Sequence, residues 1–307
     1  MAEPIANHMP YAVETSIASA SAERRARALG WVRVLRKEPQ LWIGSLILVA
    51  LIAGALLAPL SAPYDPLMPD YSVSLHAPSR AHLFGTDNLG RDQLSRILYG
   101  GRLSLFVGTC AVMIGMLIGV TLGLISGYKM GVLDSLIMRT MDGILAFPGL
   151  VLALSISFAL GPSLRSVIIA LAAVRVPGFA RVVRGQMLAL RNREYIEAAE
   201  ALGARPVRIV LRHFLPNLVS IILVQVSLSA GSAIFTEASL SFLGFGVPPP
   251  QPDWGGMLHD GYVYLEINPW LSIIPGAFIF LAVLGFNFLG DGLRDTLDPQ
   301  QRRRRGL

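Results

Sequence analysis

The chain has 307 residues, of which 53% are hydrophobic and only 15% charged, against roughly 25% charged in an ordinary soluble domain; its mean hydropathy is +0.56. So few charged groups cannot cover the surface of one large soluble domain or two small ones, and the chain reads as an integral membrane protein. Its 26 Lys and Arg against 20 Asp and Glu give a net charge of +6, but the basic residues gather between long apolar blocks and do not form a nucleic-acid-binding tract. A single cysteine, Cys110, excludes an intrachain disulfide, and no Cys/His spacing points to a metal site.

Residues 1–40 hold no apolar core of a cleaved signal peptide and carry Arg24, Arg25, Arg27, Arg33, Arg36 and Lys37. Leu41–Leu60 is the first expected span, followed by a long connection, Ser61–Arg102. The second span, Leu103–Ser126, has Gly115, Gly119 and Gly123 four apart, a stripe along which another helix can approach closely. A block from Ile144 to Leu160 gives the third span. Ser166–Val183 is the weakest: Val167–Val174 is apolar, but Arg175, Pro177 and Gly178 interrupt its second half, which must therefore cross against protein rather than lipid. Val219–Phe245 and Trp270–Leu289 complete six. Lipid cannot satisfy an open backbone, so each block must be helical, and the expected class is an all-α polytopic membrane protein.

Charge placement orients these spans. The segment between spans four and five carries Arg181, Arg184, Arg191, Arg193, Arg205, Arg208 and Arg212, and Arg294 with Arg302–Arg305 comes after the last span. Lys129 and Arg139 fall on the same side. Opposite them, Ser61–Arg102 balances four arginines with four aspartates, and Gly246–Pro269 has Asp253, Asp260 and Glu266 but no Lys or Arg. This bias fits both termini inside and an even number of crossings; deleting the weak fourth span would put seven arginines outside. The expected organisation is a cytoplasmic segment 1–40, a membrane domain 41–290 with an external loop 61–102 and a cytoplasmic loop 184–217, and a cytoplasmic tail 291–307.

The cytoplasmic loop has its own pattern. Arg193–Leu202 uses strong helix formers and stops at Gly203, a natural C-cap. Tyr195, Ala198, Ala199 and Leu202 share one apolar face. Pro206 opens a second short helix with Val207, Ile209, Val210 and Phe214 as its apolar positions, and Pro216-Asn217 is expected to interrupt the chain before span five. Two readings of this helix–glycine–helix unit stand side by side: an amphipathic element on lipid headgroups, or a rigid peg that enters a cleft on another protein.

Glu197-Ala198-Ala199, Gly203, His213 and Leu215-Pro216-Asn217 resemble the loop motif of permease subunits in bacterial ATP-binding-cassette importers. Three further segments narrow the resemblance: His82–Asp92 with Leu94-Ser95-Arg96; Glu237–Gly244 with Pro248–Pro250 and Trp254–Leu258; and Phe286-Asn287 with Gly290–Asp295 and Leu297–Pro299. Together they resemble the second permease subunit of the dipeptide/oligopeptide importer family, which includes nickel and glutathione systems. Asn88 departs from the acidic residue many relatives carry. The resemblance implies a bacterial inner-membrane protein, a homologous second permease, two cytoplasmic ATPase subunits and an extracytoplasmic substrate-binding protein. ATP and Mg would lie on the ATPase partners, since this chain has no phosphate loop ending in Gly-Lys-Ser/Thr and is expected to bind no cofactor and catalyse no reaction. Glu197, Ala198, Ala199 and Leu202 would dock into an ATPase cleft with Gly203 setting the bend, while Arg208 and Arg212 read first as solvated charge on the inner face and second as added electrostatic docking. The expected cargo is a dipeptide or short oligopeptide, with nickel chelates or glutathione as the alternative.

Other residues carry their own expectations. Glu237 lies in the fifth apolar block, where a carboxylate must face protein or water and find a donor, and Arg175 is the candidate partner. Asp87, Arg91 and Asp92, with turns at Gly85 and Gly90, fix the external segment or dock the binding protein. Trp254 is a candidate aromatic anchor there. His213 and His259 read as local hydrogen-bonding residues rather than metal ligands. An ion-coupled secondary transporter and a non-transporting assembly protein are the readings of other classes.

Overall fold

A computed structural model describes residues 38–297. The basic segment Arg24–Lys37 and the run Arg302–Arg305 lie outside the described residues. Within them the secondary structure is helical, and the longest irregular segment lies between the first two long helices. Helix α1 (Pro39–Leu56) starts on a proline, whose missing N–H costs nothing in a first turn. Its buried positions Leu41, Gly44, Leu48, Leu51 and Ala55 form one stripe. A helical turn, Ala58–Ser61, comes next.

Helix α2 (Gln93–Lys129) has 37 residues, about 55 Å at 1.5 Å per residue. It begins ten residues before the expected apolar block because Asp92 caps it: Asp92 Oδ2 accepts from the Ser95 backbone N–H and hydroxyl, each at 2.8 Å. Capping by a short acidic side chain thus carries the helix well beyond the roughly 30 Å of hydrocarbon.

The third span differs from expectation. Helix α3 (Gly131–Leu145) and helix α4 (Gly149–Leu160) form a pair bent by 91°, with the break at Ala146-Phe147-Pro148. Proline disfavours helix at the residue before it, a stop that an apolar block does not reveal. The 12 residues of α4 reach only about 18 Å, so α4 counts as a span only together with α3. Among the described residues the long apolar helices number five, or six with that bent pair.

Helix α5 (Leu164–Arg191), read from sequence as the weakest span, is a continuous 28-residue helix despite Pro177. Of the five long spans it is the most enclosed, with 56% of its apolar window buried. Its seat is the glycine stripe of α2. A Cβ on Gly115 would come within 2.8 Å of the Arg175 Cβ, one on Gly119 within 2.6 Å of Phe179 Cβ and of the Val176 carbonyl, and one on Gly123 within 2.7 Å of the Ala180 carbonyl. Gly127 extends the groove, 2.5 Å from Met187 Cβ by the same measure. Helix α3 is tied to this pair by charge: Arg184 donates from Nε and Nη2 to the two oxygens of Asp134 at 2.6 and 2.7 Å, and Ser126 donates to Asp134 from α2.

Short helix α6 (Glu194–Ala201) precedes α7 (Pro206–Phe242), whose residues Val210–Phe214 form a π turn. The expected interruption at Pro216-Asn217 does not occur. The π turn takes up the proline's missing donor within a continuing helix, and the Asn217 side chain donates to the His213 carbonyl at 2.6 Å. Helices α8 (Trp254–Tyr262) and α9 (Trp270–Leu297) complete the chain. Helix α1 packs on α9 at small residues: a Cβ at Gly44 would lie 2.7 Å from the Gly285 carbonyl.

Gly119→Val is expected to destabilise the folded chain by about 1–3 kcal/mol or more through overpacking against α5. Gly143→Ala on α3, where nothing lies within 4 Å, should be neutral or stabilising by up to about 1 kcal/mol. Thermal unfolding of the detergent-solubilised protein separates the two.

Candidate functional site

Residues 192–214 form one ordered unit at the end of the bundle where α5 and α7 emerge. Helix α6 ends in a full Schellman motif: the Gly203 N–H donates to the Glu200 carbonyl at 2.9 Å and the Ala204 N–H to the Ala199 carbonyl at 3.1 Å. Gly203 has φ +74°, the left-handed conformation this motif demands. No atom lies within 4 Å of where its Cβ would be, so the requirement is conformational rather than steric.

The unit is held from beneath by Ile196. Its side chain is 1% exposed and packs with Val183 and Met187 of α5 and with Ile209, Phe214 and Leu218 of α7. The apolar face of Tyr195, Ala198, Ala199 and Leu202 points the other way. Leu202 is 88% exposed and Tyr195 44%, while Glu194, Glu197 and Glu200 are exposed around them. Val207 and Leu211 continue the exposed apolar ridge onto α7, where Arg205, Arg208, Arg212 and Pro216 line an open groove with them. Tyr195 also leans on His213 across the bend, ring centres 6.2 Å apart. An acidic helix and a basic helix start thus present one continuous apolar ridge, anchored to two long helices by one buried isoleucine.

At the opposite end the structure brings Asp87, Arg91 and Asp92 into a knot. Asp87 accepts from the Leu89 and Arg91 backbone N–H groups at 2.9 Å and from Arg91 Nε at 2.7 Å, with Arg96 Nε 3.4 Å away. Asp92 joins His82 Nδ1 at 3.0 Å through the oxygen that does not cap α2. All three sequence-predicted residues are buried. They fix the segment before α2 and present little surface for docking. Trp254 is likewise inside: it is 1% exposed and its indole N–H donates to the Ile97 carbonyl at 3.0 Å. The aromatic ring therefore anchors α8 to α2 and is not a surface anchor.

The expected Arg175–Glu237 pair is not formed. Arg175 on α5 donates instead to Ser232 Oγ at 2.8 Å and Thr236 Oγ1 at 3.1 Å. Glu237 is one residue beyond Thr236, so it is turned about 100° around α7. It faces inward, 1% exposed, toward Ser104 and Asp253, with Oε2 unpartnered. Asp253 is a structural residue that the sequence pattern did not single out: it caps α8, accepting from Gly256 N–H at 2.8 Å and from the Ser241 hydroxyl. An aspartate directly before Trp-Gly-Gly was the available signal. Burial pushes the carboxyls of Asp253 and Asp260 above the ordinary carboxylate range.

This arrangement of helices is the permease fold of ATP-binding-cassette importers. Inward-facing structures of the MetNI methionine ABC transporter align over 66% of this chain and 97% of that chain with a TM-score of 0.55 at 19% identity, and a second crystal form aligns at 0.54. Residues 119–303 match the binding-protein-dependent transport system inner membrane component family, and residues 30–78 match the N-terminal TM domain of oligopeptide transport permease C. The chain belongs to the binding-protein-dependent transport system inner membrane component family, as a permease subunit of the peptide/nickel/glutathione group. It is 46% identical to a dipeptide transport system permease protein of Alkalihalophilus pseudofirmus, over 87% of this chain and 88% of that protein. It is also 46% identical to a glutathione transport system permease protein of Pectobacterium atrosepticum, over 88% and 90%, and 45% identical to the one of Escherichia coli O157:H7, over 87% and 89%. Membership of this family sets aside the secondary-transporter reading.

The raised values of Asp253 and Asp260 mean that protonation favours the folded state. Their contribution is therefore fully present below the unfolded value of about 4 and is lost as pH rises through the folded values. Asp253→Asn, which retains a good cap, should flatten the fall in melting temperature as pH rises above about 4 and raise it where the native carboxyl is ionised. Melting curves across that range check this.

Proposed function

We propose that the chain forms one half of an inward pathway for short peptides, with both termini and residues 192–214 in the cytosol. Glutathione is placed ahead of free dipeptides as cargo. The support for cargo class is the equal 46% identity to relatives named for glutathione and for dipeptide transport, with further glutathione permeases at 45%. A homologous second permease supplies the other half, two ATPase subunits hold ATP and Mg, and an extracytoplasmic binding protein delivers the cargo.

The observation that carries the coupling role is the exposed ridge of Tyr195, Leu202, Val207 and Leu211 above buried Ile196. A helix lying on lipid would bury such a ridge in the headgroup boundary. A ridge flanked by Glu197 on one side of the glycine bend and by Arg208 and Arg212 on the other fits a protein cleft of mixed charge. Because Ile196 contacts both α5 and α7, force on the ridge reaches two long helices at once. In this reading Glu197, Ala198, Ala199 and Leu202 contact the ATPase, and Gly203 holds the angle at which they are presented.

Gly203→Val should uncouple transport while leaving membrane insertion intact. Its left-handed conformation costs a β-branched residue about 1–2 kcal/mol, enough to open the Schellman turn without touching the core. Uptake and partner-stimulated ATP hydrolysis in proteoliposomes report this: the variant should lose most uptake per ATP, and unchanged coupling would contradict the role given to the bend. The cargo is tested by presenting glutathione, dipeptides and nickel chelates to the cognate binding protein and then to the reconstituted complex. Glutathione or short peptides should be taken up; uptake of nickel chelates alone would contradict the peptide reading.

A further inference from the structure

We propose that Arg175 receives the carboxylate of the cargo as it crosses the membrane, on a polar track shared by α5 and α7; this rests on the peptide-import function proposed above. Arg175 is 11 residues into α5, about 17 Å from its start, and so lies deep in the span. A guanidinium at that depth is costly in lipid and must face protein or water. Its two bonded partners, Ser232 and Thr236, are uncharged. Its Nε is buried without a partner, and among the described residues it makes no ion pair.

The hydroxyls do not neutralise it. Ser232 donates back to the Leu228 and Ser229 carbonyls and Thr236 to the Ser232 carbonyl, so each offers Arg175 only an oxygen lone pair. They orient the fork and leave its charge intact. The same face of α7 carries further polar groups. Gln225, Ser232, Thr236 and Ser239 fall within about 60° of arc, and all four are partly or fully exposed on this chain. Gly178 on α5 lies beside Gln225 and leaves room between the two helices, with only the Gln225 Nε2 near its would-be Cβ, at 3.8 Å. An exposed row of amide and hydroxyl groups at membrane depth, with one uncompensated cation, is the lining of a wet path. A peptide free acid matches it: the carboxylate takes the fork of Arg175, and the hydroxyl oxygens and the Gln225 carbonyl accept from its N–H groups.

The test uses the assembled transporter in proteoliposomes, with Cys110→Ser as background. Uptake of one labelled dipeptide is compared with uptake of its C-terminal amide, each at saturation of the binding protein. Arg175→Gln should lower free-acid uptake about tenfold or more, the worth of one charge-assisted hydrogen bond, and leave amide uptake within about twofold, while Arg175→Lys retains most of the free-acid rate. Equal loss for both cargoes would mark an ion pair with the neighbouring subunit or a folding role, and would overturn the proposal. A second readout needs no cargo. The rate of Ser239→Cys with an anionic thiosulfonate, relative to a cationic one, should fall at least about threefold when Arg175 becomes Gln. An unchanged ratio, or no reaction with either reagent, would also overturn it. If Arg175→Gln does not assemble, protection of Ser239→Cys in the otherwise native chain decides: the free acid should slow labelling and the amide should not, and equal protection or none counts against the site. If the native complex takes up neither these peptides nor glutathione, the cargo reading fails by itself, and the thiosulfonate ratio still decides whether a cation lies in a wet path.

Discussion

The close approach of α2 and α5 is the constraint on which the rest of this structure depends. Helix α5 carries Arg175, Pro177, Gly178, Arg181 and Arg184, a poor composition for a helix surrounded by lipid. It spans because four glycines of α2 remove the side chains that would otherwise hold it off. Backbone-to-backbone contact then gives van der Waals attraction over several turns, the main source of helix association where no hydrophobic effect operates. Seated this way, α5 turns Arg175 toward α7 and Arg181 and Arg184 toward α3, and carries α6 at its end.

The two ends of the bundle are built on different physics. At the end that holds residues 62–92, buried carboxylates cap helices and bind arginines: Asp92 on α2, Asp253 on α8, and Asp87 between Arg91 and Arg96. Such groups fix the geometry of an irregular segment that has no hydrogen-bond ladder of its own. At the other end the polar residues are solvent-facing and a single apolar side chain, Ile196, supplies the attachment. The first arrangement is rigid. The second makes one small contact answer to movements of the ridge above it, which suits a part that transmits motion.

Much of this was legible in the sequence, for identifiable reasons. Apolar length is a property of whole segments, so five of the six expected spans, α5 among them despite its composition, came through as long helices and the third only as a bent pair. The glycine stripe and the stop at Gly203 are single-residue signals with one strong physical meaning each. Relations between segments escaped. The break at Pro148 is hidden because its flanks are as apolar as any span. Ile196 looked like one helix former among many, since only the tertiary fold decides which side of an amphipathic helix is covered. The position of Glu237, one residue from Thr236 yet turned inward on α7, likewise depends on helix rotation against α5, and the charge complement of Arg175 suggested a pair that geometry does not make.

The central claim is that the ridge of α6 faces the cytosol and is covered by a neighbouring subunit. It is tested most directly by labelling Leu202→Cys, in a chain whose Cys110 is replaced by serine, with a membrane-impermeant maleimide. Reaction in inverted membrane vesicles but not in intact cells, together with protection when the ATPase subunits are assembled, is the outcome this account predicts. Labelling from the outside of intact cells, or equal labelling with and without those subunits, would contradict it.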